Sequence, residues 1–139
     1  VKVIDPAEVY DRGLRDPDAL RGPERLVFIL QEFDILMEME GWVHFFLYER
    51  HFTWYDEMKD WLRHIGDEES LAVLLAYESW MRERGFDATP SAVERWLQKP
   101  GAVELREPDW VNEYTAMRER RWERARAHLA ENGYLLRAE

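Results

Sequence analysis

Apolar residues along this chain recur every three or four positions, and nowhere does a stretch alternate convincingly as a strand. Leu26, Ile29, Leu30, Phe33, Leu36 and Met37 mark one face of a helix expected from about Glu24 to Met39. Trp42, Val43, Phe45, Phe46 and Leu47 form the most apolar segment, too short to span a bilayer and read as a buried helix. Tyr55, Met58, Trp61, Leu62 and Ile65 repeat at helical spacing between Thr53, a good N-cap, and Gly66. Leu71, Leu74, Leu75, Tyr77 and Met81 follow in a helix capped by Asp67 and ended by Gly85. Val93, Trp96 and Leu97 give a shorter helix from Thr89-Pro90 to Pro100-Gly101. One last long helix is expected, opened by Pro108, with Trp110, Tyr114, Met117, Ala125 and Leu129 on its inner face and Asn132-Gly133 at its end.

The N-terminal region carries the same punctuation. Asp5-Pro6 reads as an N-cap followed by proline in the first turn, Gly13 as the stop, and Asp16-Pro17 and Gly22-Pro23 as further starts. With no repeat, no low-complexity segment and no long linker, residues 1–139 read as a single all-α domain, an orthogonally packed bundle of about six or seven helices.

Composition adjusts this picture in three ways. A hydrophobic fraction of 46% and an aromatic fraction of 14% are too high for a disordered chain. The absence of cysteine excludes disulfides, thiolate metal sites and a cysteine nucleophile. No apolar run is long enough to cross a membrane and the N-terminus lacks a signal peptide's apolar stretch, so a cytoplasmic location is expected. The net charge of -10 is unevenly spread, with 17 acids against 8 bases up to residue 69 and 12 against 11 thereafter. That balance argues against direct nucleic-acid binding, whose affinity comes largely from cations on phosphates. It suits a cationic partner; the plainer reading is that the charge keeps the protein dispersed.

Catalytic chemistry is thin. Glu40 with His44 and Asp60 with His64 are carboxylate–histidine pairs one helical turn apart, which could present two ligands on one face. No Glu-x-x-His or His-Glu-x-x-His motif accompanies them, so neither a metal nor a cofactor is expected. Ser70, Thr53 and Thr89 are helix-start residues rather than nucleophiles, and no glycine-rich phosphate loop is present. No catalytic residue is assigned, and the chain is not expected to be an enzyme. Arg118, Arg120, Arg121, Arg124 and Arg126, interleaved with Trp122, form a basic stretch. The expectation there is a solvated helix face with arginine stems on apolar surface. The alternatives are a basic patch for an acidic partner, or neutralisation of the acidic half within the chain or across a dimer.

The segment Phe33 to Phe46, then Trp61 to Gly66 and Leu71 to Ala76, resembles the family of small acidic helical bacterial proteins named after a neisserial DNA-mimic protein, many of whose members are called a domain of unknown function. That family carries a glutamate-rich helix running into Asn-Gly-Gly-Phe-x-Gln-Phe-Phe, then a helix ending in Leu-x-x-Ile-Gly. Gly41, Trp42, Phe45 and Phe46 match its second glycine and aromatics, and Leu62, Ile65 and Gly66 match the later helix end. His44 stands where glutamine is usual, and Met39-Glu40 replaces Asn-Gly. The resemblance implies an all-α fold and, in the namesake, a dimer whose surface carboxylates stand in for DNA phosphates.

The expected function is therefore an acidic protein-interaction domain that mimics DNA and occupies the basic surface of a DNA-binding protein. The alternative is an immunity-type inhibitor of a cationic toxin or nuclease. A metal-dependent enzyme built on Glu40, His44, Asp60 and His64 ranks below both. The candidate binding acids are Glu32, Asp34, Glu38, Glu40, Glu49, Asp56, Glu57, Asp60, Asp67, Glu68 and Glu69, with Asp16, Asp18 and Glu24 upstream. The aromatic cluster of Trp42, Phe45, Phe46, Phe52, Trp54 and Tyr55 is expected in the core; any exposed part of it would be the candidate homodimer interface.

Overall fold

The computed structural model describes residues 1–39, 41, 46–99 and 109–138. Among them are seven α-helices: α1 (Pro6–Arg15), α2 (Gly22–Met39), α3 (Glu49–Ile65), α4 (Glu68–Glu83), α5 (Pro90–Leu97), α6 (Trp110–Ala116) and α7 (Arg118–Glu131). The all-α expectation holds. The family-motif residues Trp42, His44 and Phe45, together with Glu40, Pro100-Gly101 and Pro108, lie outside the described residues.

The caps explain most boundaries. Asp5, Asp67 and Thr89 accept backbone N–H groups of Ala7, Ser70 and Ala92, satisfying donors that a helix start leaves open. Gly66, at φ +75°, ends α3 in a left-handed conformation where a Cβ would be strained. Thr53 is a departure: α3 begins four residues earlier, and the Thr53 hydroxyl donates back to the Glu49 carbonyl at 3.0 Å. The last long helix is in fact two, α6 and α7, meeting at Met117.

The run Leu26–Leu30 is buried in its entirety, as are Glu32, Phe33, Asp34, Leu36 and Met37. A helix with an unbroken apolar turn, buried on every side there, belongs in the middle of a fold. Accordingly α2 packs against α1, α3, α6 and α7. Phe46, Trp54 and Tyr55 join the core, Phe46 stacking on Tyr77 at 6.0 Å and meeting Tyr55 edge-on at 5.0 Å; Phe52 is half-buried.

One pair of short strands stands beside the helices. β1 (Lys2–Ile4) and β2 (Tyr134–Leu136) run parallel, with Lys2 opposite Tyr134, Val3 opposite Leu135 and Ile4 opposite Leu136. Ile4 and Leu136 point into the core, and Gly133, at φ +84°, turns the chain from α7 into β2. Among the described residues no helix is long and apolar enough to cross a membrane.

Three phenols lie where ionisation is penalised. Burial, with the Glu78 carboxylate beside it, pushes Tyr55 above the usual range, burial does the same for Tyr114, and burial with Glu32 nearby raises Tyr10 to about 12. A raised pKa contributes stability that is intact below the ordinary value of 10 and is lost as pH rises through the folded value. Ultraviolet titration should therefore show these tyrosines ionising late, together with alkaline unfolding. If every tyrosine ionised near 10 in a folded protein, the burial would be wrong.

Candidate functional site

The candidate acids separate into three groups. Glu32, Asp34 and Asp67 are buried, so they belong to the interior rather than to any contact surface. Glu38, Glu57 and Glu69 sit in ion pairs that tie different helices together, Glu57 taking the Arg25 guanidinium at 2.7 Å and the Trp61 indole N–H at 3.1 Å. Upstream, Glu24 is paired with Arg12, while Asp16 and Asp18 are exposed. Glu49, Asp56, Asp60 and Glu68 are exposed. Positions 49, 56 and 60 fall on one face of α3, because seven and eleven residues are close to whole numbers of turns. Asp56 and Asp60 have side chains 63% and 70% exposed, and among the described residues each meets only a base of its own helix, Lys59 at 3.4 Å and Arg63 at 3.0 Å.

Four of the five arginines of α7 face these acids, and the expected solvated face is mostly a clasp. Arg121 is 1% exposed. Its Nη2 donates to Asp34 Oδ1 at 2.8 Å, and its Nη1 to Ser70 Oγ at 3.1 Å and to the Tyr114 carbonyl at 3.0 Å. The guanidinium carbon lies 3.7 Å from the centre of the Tyr114 ring, a desolvated cation–π contact. Asp34 is completed by the Trp122 indole N–H at 2.7 Å. Arg118 reaches Glu38 at 2.7 Å, and Arg124 spans Asp67 at 3.1 Å and Glu69. Ser70 closes the loop by donating to Asp67 Oδ2 at 2.6 Å. The neutralisation considered from sequence thus takes place within the chain, between α7 and the four acids Asp34, Glu38, Asp67 and Glu69.

Arg124 and its own backbone N–H hold the exposed Glu69 carboxyl at about 2 instead of 4.5. The stability linked to this shift is present above 4.5 and is lost as pH falls towards 2.

Of the two carboxylate–histidine pairs, Glu40 and His44 lie outside the described residues, and Asp60 and His64 do not converge. His64 Nδ1 lies 2.8 Å from the Asp60 backbone carbonyl, while the Asp60 carboxylate is turned to Arg63. Among the described residues no three histidine, aspartate or glutamate side chains gather as metal ligands. Of the motif residues that are described, Phe46 and Ile65 are buried, and Gly41 and Gly66 take left-handed conformations after α2 and α3.

Comparison with protein-family profiles, curated proteins and solved structures gives no match to this chain.

Proposed function

We propose that the chain is an acidic protein-interaction domain whose partner presents a basic, DNA-binding surface, and that the exposed face of α3 carrying Glu49, Asp56 and Asp60 makes the contact. The observation that carries this reading is the division of the acids. Asp34 and Glu38 of α2, and Asp67 and Glu69 at the α4 start, are neutralised by α7, whereas among the described residues Glu49, Asp56 and Asp60 keep no partner outside their own helix. Exposed pairs of the Asp60–Arg63 kind are worth little, so a partner's arginines can take these carboxylates at small cost. Four helical residues rise about 6 Å, so Asp56 and Asp60 set two carboxylates in line along one face of α3.

The test is affinity capture from a bacterial lysate with the wild type and with an E49Q/D56N/D60N variant. The expected result is a DNA-binding protein held at low salt, released by duplex DNA, and missed by the variant. Capture of the same protein by the variant, or capture indifferent to salt, would remove the reading. The same face would serve an inhibitor of a cationic nuclease, and the identity of the captured protein separates the two.

A further inference from the structure

The outward face of α4 carries a pattern that the contact on α3 does not use. Glu68, Ala72, Leu75, Ser79 and Arg82 follow one another at spacings of four, three, four and three residues, which keeps them in one line along a helix. Val73, Leu74, Tyr77, Trp80 and Met81 occupy the opposite side and are buried. Glu68, Ala72, Ala76 and Arg82 are exposed, Leu75 is 41% exposed and Ser79 is half-buried. Among the described residues neither Glu68 nor Arg82 has an ion-pair partner, and the Arg82 guanidinium donates to Ser79 Oγ at 3.3 Å.

Either charge alone is an ordinary hydrated end of a helix. Their placement is what matters. Glu68 and Arg82 lie seven residues before and seven residues after Leu75, two turns each way, with opposite signs. A twofold axis through Leu75 that reverses the helix therefore sets Glu68 of each copy against Arg82 of the other, and Leu75 against Leu75. The stripe is its own complement, as an isologous contact requires. A parallel pairing would set like charges together at both ends, and a uniformly basic partner would suit Glu68 and repel Arg82. Ala72, Ala76 and Ser79 are small, so two helix axes can come to the near end of the roughly 8–10 Å separation of packed helices.

We propose that this face of α4 binds a second copy of the chain, the two helices packing antiparallel about Leu75 with Glu68 of each paired to Arg82 of the other. The contact does not rest on the acidic face of α3. A helix of 16 residues is about 24 Å long, so the buried area is at the small end of specific interfaces and the expected Kd is on the order of tens of micromolar.

Sedimentation equilibrium at fixed salt, over concentrations that bracket this Kd, tests it. The wild type is expected to pass from monomer to dimer. L75E, which sets two carboxylates face to face on the axis, should stay monomeric. E68R and R82E should each weaken the dimer about tenfold, since each turns both symmetry-related pairs into like charges. E68R/R82E should return to within about threefold of wild type, because exchanging the charges restores both pairs. That double variant keeps the net charge of -10, so overall repulsion is the same in the two proteins. The substituted side chains are exposed, so each variant should fold as the wild type does, checked by its thermal melt. A wild type that stays monomeric up to millimolar concentration, a dimer that survives L75E, or a double variant no stronger than the single ones would overturn the proposal.

Discussion

Replacing Arg121 by alanine is expected to lower the unfolding free energy by about 3–5 kcal/mol, because it strands Asp34 as a buried carboxylate without its main counter-ion. The two side chains are 1% and 3% exposed, so water can do little to replace the lost guanidinium. Ser70 and the Tyr114 carbonyl lose a donor at the same time. A domain of this kind has roughly 5–15 kcal/mol in all, so the variant should be marginally folded. R121M separates charge from volume: it fills much of the space and still abandons Asp34, and should remain destabilised. The double variant R121M/D34L should recover most of the loss, since apolar replacement of a whole buried pair is often neutral. Urea denaturation of the three variants measures each value. If R121M alone cost under about 1 kcal/mol, the Asp34–Arg121 pair would not be what holds α7 on α2. Arg126, five residues on and exposed without an ion-pair partner among the described residues, provides the contrast: R126A should fall within about 0.5 kcal/mol of wild type.

That contrast also shows what could be read from the sequence. The helices were legible because their apolar positions keep a period and their ends carry aspartate, threonine, proline and glycine. Arg121 was hidden among five arginines of identical chemistry, yet position mattered more than composition. The inner face runs 110, 114, 117, 121, 125, 129, and Arg121 occupies the place where that period requires a buried side chain. A charge on a core stripe needs a buried counter-charge, and Asp34, buried on α2 as Glu32 also is, supplies it. Reading the two together would have located the clasp. The strands could not be found this way. Three residues are too few to show alternation, and pairing Lys2–Ile4 with Tyr134–Leu136 joins segments that no local pattern connects. Nor could the sequence sort the acids, since Asp56 and Asp67 differ in burial and not in type.

Gly13 sharpens the same point. Its sequence setting suggests a helix stop, but α1 continues to Arg15, and the glycine is there to let α2 approach. A Cβ on Gly13 would stand 2.2 Å from Phe28 Cδ1 and 2.5 Å from Cε1. The ring has little room to swing, being fully buried and flanked by Tyr10 at 5.9 Å and by Trp54, edge-on, at 5.4 Å. Two effects then compete in G13A. Alanine gains about 1 kcal/mol of helix propensity over glycine, while overpacking a tight contact costs about 1–3 kcal/mol or more. The clash should win, and G13V, larger and β-branched, should lose about 3 kcal/mol. F28A should cost about 3–5 kcal/mol by leaving a cavity. Combining G13A with F28A removes the obstruction and keeps the propensity gain, so G13A should change sign and stabilise the F28A background by about 1 kcal/mol. Equilibrium unfolding of the four proteins in the cycle reads this directly. A G13A effect of the same sign in both backgrounds would mean that Gly13 is not the point where α1 and α2 touch.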